Sequence, residues 1–261
     1  MSLEDGKLLS DIIKTGFPCE LRVQRTLESL GWFVTGNAYY LDTDENKGRE
    51  IDVTANKNCL DTESKPGVEV WSLLCIEVKK SEKPWVIFSS EEHPIDPVGW
   101  GLLHIARNLD ARLLSREKIM ELHPCQVTSR FGRAGYVAFS GSAESPRVFS
   151  AVVGAAKASR ARKDKLLPYF EQHGDIVEIH FVTPIVVVEG PLYECYLEYD
   201  GSLQLKQVNR IPYVLNYISP TYNDGGYLVD IVNADALEEY ARAHEAWISD
   251  VFEYIRTQVH S

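Results

Sequence analysis

The sequence predicts an α/β domain with a mixed central sheet, and three observations carry that reading. A helix-period segment runs directly into three β-type segments. The third of these is apolar almost throughout, as in strands covered on both faces. Further on, a small-residue helix precedes the most apolar strand signal of the chain, Ile176 to Val188. With 261 residues, 44% hydrophobic and 25% charged, the chain has the composition of a globular protein rather than of a disordered or fibrous one. No repeat or low-complexity linker divides it. One domain is expected, with a core over about 15–190, an insertion over about 84–145 and an extension over about 191–261.

Thr15 to Leu30 reads as a helix: Thr15 as cap, Pro18 in the first turn, and Val23, Leu27 and Leu30 at helical spacing, with Gly31 ending it. Trp32 to Leu41, Arg49 to Ala55 and Val68 to Lys79 read as strands separated by polar loops. Within the insertion, a helix is expected over Trp100 to Leu122 and a short strand over Tyr136 to Phe139. Ser145-Pro146 opens a long helix to about His173, whose run Val152-Val153-Gly154-Ala155-Ala156 lets it lie close against a sheet. Pro184 inside the next strand suggests a bend or an edge. Tyr193 to Tyr199, Arg210 to Ile218 and Tyr227 to Val232 read as strands, and Ala234 to Val259 as a closing amphipathic helix. The expected order is αβββ, insertion, αβ, then a β-rich extension ending in a helix.

Lys plus Arg number 27 against 38 acids, a net charge of −11, which excludes a broadly basic protein that coats nucleic acid. Any phosphate site has to be local. Apolar stretches are too short to cross a bilayer, no secretory signal is visible, and a cytoplasmic location is the default expectation. Five scattered cysteines form no CxxC pair and no disulfide framework. Nucleophile elbow, phosphate loop, dinucleotide fingerprint and HExxH zinc pair are all missing, and the seven histidines show no ligand spacing. Cys19 beside Glu20 reads as a buried structural cysteine.

One group of residues has chemical content. The triplet [DE]xK begins at Asp5, Glu45, Glu63 and Glu77, so by itself it says little. Only Glu77-Val78-Lys79 ends a long apolar strand, where alternation puts Glu77 and Lys79 on one face and Ile76 and Val78 on the other. In Gly48-Arg49-Glu50-Ile51-Asp52-Val53, Ile51 and Val53 share the apolar face and Asp52 lies opposite. If the two strands pair in register, Asp52 faces Glu77. Two such acids suit a hard divalent cation, which takes carboxylates and substrate phosphate together. Glu20 lies on or beside the apolar stripe of the first helix and would point at the sheet.

This pattern resembles the PD-(D/E)XK nuclease superfamily, the restriction-endonuclease-like fold with an αβββαβ core. Glu20, Gly48 to Val53 and Cys75-Ile76-Glu77-Val78-Lys79-Lys80 carry the resemblance, which spans about residues 15–190. Ile51 stands where the strict motif has proline. The resemblance implies an Mg²⁺ (or Mn²⁺) site at Asp52, Glu77 and the carbonyl of Val78, assisted by Glu20. It makes Lys79 the residue that orients or activates the attacking water and stabilises phosphate charge. The implied function is metal-dependent hydrolysis of phosphodiester bonds, with DNA as partner, no membrane, and a homodimer left open. The alternative is an inactive nuclease-like fold that binds nucleic acid or protein.

Blander readings stand beside these. Asp52 and Glu77 suit the solvent side of an ordinary sheet, Lys79 and Lys80 suit charged gatekeepers of an apolar strand, and Glu20 suits a first-turn acid favoured by the helix dipole. The run Lys157, Arg160, Arg162, Lys163 and Lys165 suits contacts to a phosphate backbone or simply a solvated helix face. Lys80 is a candidate for the same contacts. Trp85, Trp100 and the tyrosines from Tyr213 to Tyr222 could stack bases, although packing is the commoner use of such residues.

Overall fold

A computed structural model describes residues 3–91, 103–108, 121, 123, 130–140, 147–170, 176–222 and 226–260. Two helices, α1 (Leu3–Lys14) and α2 (Phe17–Ser29), precede the antiparallel strands β1 (Phe33–Asp42), β2 (Lys47–Asp61) and β3 (Gly67–Lys80). Then come β4 (Trp85–Glu91), β5 (Leu103–Arg107), β6 (Arg130–Val137) and helix α3 (Arg147–Phe170). Strand β7 (Ile176–Glu189) is followed by β8 (Leu192–Leu197), β9 (Leu203–Gln207), β10 (Arg210–Asn216), β11 (Gly226–Asn233) and, after one 3₁₀ turn, helix α4 (Leu237–Val259). The eleven described strands form one mixed sheet in the order β1-β2-β3-β7-β11-β10-β6-β4-β8-β9, with β5 also paired to β7. No described helix is long and apolar enough to cross a membrane.

The sheet has helices on both sides, and β3 shows why its sequence is so evenly apolar. Leu73 and Cys75 pack with the small residues Ala151, Val152, Ala155 and Ala156 of α3 on one face. On the other, Leu74, Ile76 and Val78 meet Cys19, Val23 and Leu27 of α2 and Leu237, Tyr240 and Ala241 of α4. Further along that face, Trp247, Ile248, Val251 and Ile255 of α4 cover Val68, Val70, Ile179 and Phe181. Strand β7 lies parallel to β3 over its whole length, Gly67↔Ile176 to Lys80↔Glu189. Gly31 turns the chain from α2 into β1 at φ +76°, a left-handed conformation that glycine adopts without strain.

Several expectations are corrected. Thr15 does not cap α2: Gly16 is the cap residue, and the Thr15 hydroxyl donates to Ile12 O at 2.7 Å, at the end of α1. The helix expected over Trp100 to Leu122 fails at Leu103–Arg107, which is β5; apart from 108 and 121, its other residues lie outside those described. The reason is tertiary. Strand β7 is long, β11 covers only Ile185 to Val188 of its second edge, and β5 takes Glu178 to Val182. Pro184 does not mark an edge strand, since β7 is paired on both sides. It sits where that edge changes partner from β5 to β11, so its missing N–H falls at a break in the ladder. The short strand read at Tyr136 to Phe139 ends at Val137, and Phe139 turns out of it at φ +58°. The extension is not appended to the core: β11 and β10 lie between β7 and the insertion's β6.

Candidate functional site

The ladder between β2 and β3 runs from Asp61↔Val68 to Val53↔Ile76, so Asp52 and Glu77 are the next residues past its end. There the strands part. The N–H of Val78 donates to Asp52 Oδ2 at 2.6 Å, so this carboxylate terminates the ladder. Lys79 Nζ sits between the two acids, 2.5 Å from Glu77 Oε2 and 3.3 Å from Asp52 Oδ2, and donates also to the carbonyl of Val78 at 3.2 Å. Asp52 Oδ2 and Glu77 Oε2 are therefore no farther apart than those two contacts laid end to end. Alternation along β3 accounts for the shared side of Glu77 and Lys79.

Helix α3 closes the site from the same side. A Cβ on Gly154 would come within 2.9 Å of Glu77 Oε1, so the absence of a side chain there makes room for the carboxylate. Glu77 is only 12% exposed. Burial is the main force raising its pKa; Lys79 opposes the rise, and Asp52 adds to it. For Glu20 burial again dominates an upward shift, with the negative charge of Asp52 next. Glu20 thus senses Asp52 and Lys79 electrostatically from α2. Burial pulls the Lys79 pKa down, but Glu77 and Asp52 outweigh it and hold the ammonium above its ordinary value. Lys79 is accordingly a fixed positive charge.

Among the described residues, no group of three or more His, Cys, Asp or Glu side chains is arranged to hold a metal ion. The oxygens that do converge, Asp52 Oδ2, Glu77 Oε2 and Val78 O, surround one cation, the Lys79 ammonium. That set, two carboxylates and a carbonyl, has the hard-oxygen chemistry that Mg²⁺ takes together with water and phosphate.

Beside the triad opens a cleft of about 400 Å³, to which Val78 and Lys79 contribute. Lys14, Lys80, Lys83 and Arg147 line it, together with Glu82, among the described residues. Lys80 also ties α1 to the end of β3 by donating to Ile13 O. Lys14, Lys83 and Arg147 come from α1, the β3–β4 turn and the start of α3, so no local signal in the sequence joins them.

Two members of the basic run on α3 are taken up by acids. Lys157 is buried, donating to Asp42 Oδ1 and Oδ2 at 3.0 and 2.9 Å and pairing with Asp44 at 3.0 Å. Arg160 is held by Asp164 at 3.0 and 3.1 Å. Half-buried Lys163 has a lowered pKa, chiefly from burial and then from Arg160. Arg162 and Lys165 line a separate groove of about 760 Å³ against Tyr39, Tyr40 and Leu41 of β1. Acids supplied by β1 and its loop, distant in sequence, neutralise Lys157. Trp85, Tyr213 and Tyr222 are core residues and cannot stack bases; Trp100 lies outside the described residues. Cys19 is buried, its thiol pushed up to about 12 chiefly by burial, as an inert structural cysteine is. Compared with protein-family models, curated proteins and solved structures, the chain matches none.

Proposed function

We propose that this chain is a metal-dependent nuclease that hydrolyses phosphodiester bonds of DNA at Asp52, Glu77 and Lys79. The observation that carries the proposal is the convergence of two carboxylates, a carbonyl and a lysine at one strand end, on the rim of a cationic cleft in an acidic protein. With β4, β5 and β6 set aside as an insertion, the order α2-β1-β2-β3-α3-β7, with β7 parallel to β3, supports the resemblance to the restriction-endonuclease-like αβββαβ core. Fold likeness alone would not establish an activity, so the site carries the reading.

Asp52, Glu77 and the carbonyl of Val78 would hold Mg²⁺, with Glu20 beside them. When bound, the ion supplies Lewis-acid polarisation of the phosphoryl oxygen and a water of lowered pKa. The chain's own residues do the rest. Val78 N–H fixes the orientation of Asp52. Lys79 would donate to the attacking water or a phosphate oxygen and offset the charge that grows as the water oxygen bonds to phosphorus and the ester P–O bond breaks. Gly154 and the apolar wall of α3 keep Glu77 partly out of water, which strengthens its interactions with cations.

Plasmid and single-stranded DNA incubated with Mg²⁺ or Mn²⁺ test the proposal. The wild type should cut, and Asp52→Asn, Glu77→Gln and Lys79→Ala should each lose on the order of a hundredfold or more. A wild type that cuts nothing, or variants that cut equally well, would overturn it. One observation favours a second reading, an inactive fold that binds nucleic acid: Lys79 already pairs with both carboxylates, in the place where a metal ion would sit. Mn²⁺ binding that disappears in Asp52→Asn would count against that alternative.

A further inference from the structure

We propose that the cleft formed by Lys14, Lys83 and Arg147 is a subsite for a single nucleic-acid strand, with one nucleotide seated beside the triad. This rests on the nuclease reading and adds its substrate class. Three observations point to a single strand rather than a duplex. The cleft, at about 400 Å³, is at the small end of ligand pockets and of the order of one nucleotide, with cations from three segments around it. A duplex needs phosphate contacts along an extended track, and the basic run on α3 is interrupted, with Lys157 taken up by Asp42 and Asp44 and Arg160 by Asp164, which leaves Arg162, Lys163 and Lys165. Lastly, Phe17 is 63% exposed and follows directly on Gly16 of the cleft wall. A cationic groove together with an exposed aromatic is the combination that holds unstacked bases. Phosphate oxygens would accept from Lys14, Lys83 and Arg147, and the base would lie on the Phe17 ring.

Binding is measured in EDTA, so that no turnover is required, with a short labelled oligothymidylate and a duplex of the same length. The wild type should bind the single strand more tightly than the duplex. Three phosphate contacts give a log–log salt slope of about −2. In Lys14→Ala/Lys83→Ala the slope should shrink in magnitude by about 1.4, with affinity at low salt falling by about tenfold. Phe17→Ala should weaken the single strand by about tenfold and leave the slope unchanged. Arg147→Ala provides an independent charge variant if the double substitution impairs folding, which circular dichroism would reveal. Tighter duplex binding, or wild-type affinity and slope in both charge variants, overturns the inference. The two proposals fail separately. If the wild type binds as described but cuts nothing in Mn²⁺, the cleft assignment stands and the nuclease reading falls; if it cuts while the charge variants bind normally, the reverse holds.

Discussion

Replacing Gly154 by alanine sets two effects of known sign against each other at one atom. In a helix interior, glycine to alanine normally stabilises by about 1 kcal/mol. Here the new Cβ would stand 2.9 Å from Glu77 Oε1 and 3.2 Å from its Cδ, whereas ordinary contact begins at 3.4 Å. The obstructing atom is the end of a flexible side chain, so neither helix nor strand has to move; the Glu77 carboxylate gives way instead, by about half an ångström. It cannot do so freely, because it holds Lys79 at 2.5 Å and is mostly buried. Weakening a charge-assisted hydrogen bond of that kind costs about 1.5–3 kcal/mol when it is lost entirely. The expected net change in urea unfolding is therefore between roughly zero and 1 kcal/mol of destabilisation. Under the proposed function, DNA cleavage should fall by on the order of tenfold, since about 0.5 Å is the limit of misplacement that a reacting site tolerates. In a Glu77→Ala background the same substitution should regain its full stabilisation of about 1 kcal/mol. Gly154→Ala that is stabilised by that amount and keeps wild-type activity would refute the reasoning.

Two further expectations concern buried charges outside the site. Lys157→Met should lower unfolding free energy by about 3–5 kcal/mol, because it strands Asp42, which is 3% exposed, without its cation; the salt slope of strand binding should not change, and a reduced slope would return Lys157 to the nucleic-acid surface. The second concerns His244, fully buried, its pKa pulled down to about 3 chiefly by burial and then by His123, itself held near 4. The unfolded chain binds these protons near pH 6.5 and the folded chain does not, so stability is complete above that value. It should fall as pH drops from about 6.5 toward 4, by up to about 1.4 kcal/mol per pH unit and per histidine. Urea titrations at several pH values check this, with His244→Phe flattening the curve; equal slopes in both proteins would show that His244 is not responsible.

The elements best read from sequence are those with a strong local period. Val68 to Lys79, with apolar residues on both faces, became β3, and the small-residue run at Val152 to Ala156 became the face of α3 that touches the sheet. The same alternation put Glu77 and Lys79 on one side of β3. Leu103–Arg107 defeated this approach because five residues carry too little pattern to distinguish helix from strand, and the open edge of β7 decided the matter. Lys157 defeated it for a related reason: a helical basic run looks the same whether water or a carboxylate faces it, and Asp42 and Asp44 are more than a hundred residues away.

The sequence by itself determined the fold class, the strand end bearing the acids, and the chemistry those acids offer, since alternation and helical period are local consequences of backbone geometry. Tertiary structure alone decided that Lys79 stands between Asp52 and Glu77, that Gly154 makes room for Glu77, and that Lys14, Lys83 and Arg147 surround one cleft. It also placed β10 and β11 between the core and the insertion. These are matters of which segments meet, and contacts between distant segments follow from burying whole faces of sheet and helix together, which no local window of residues records.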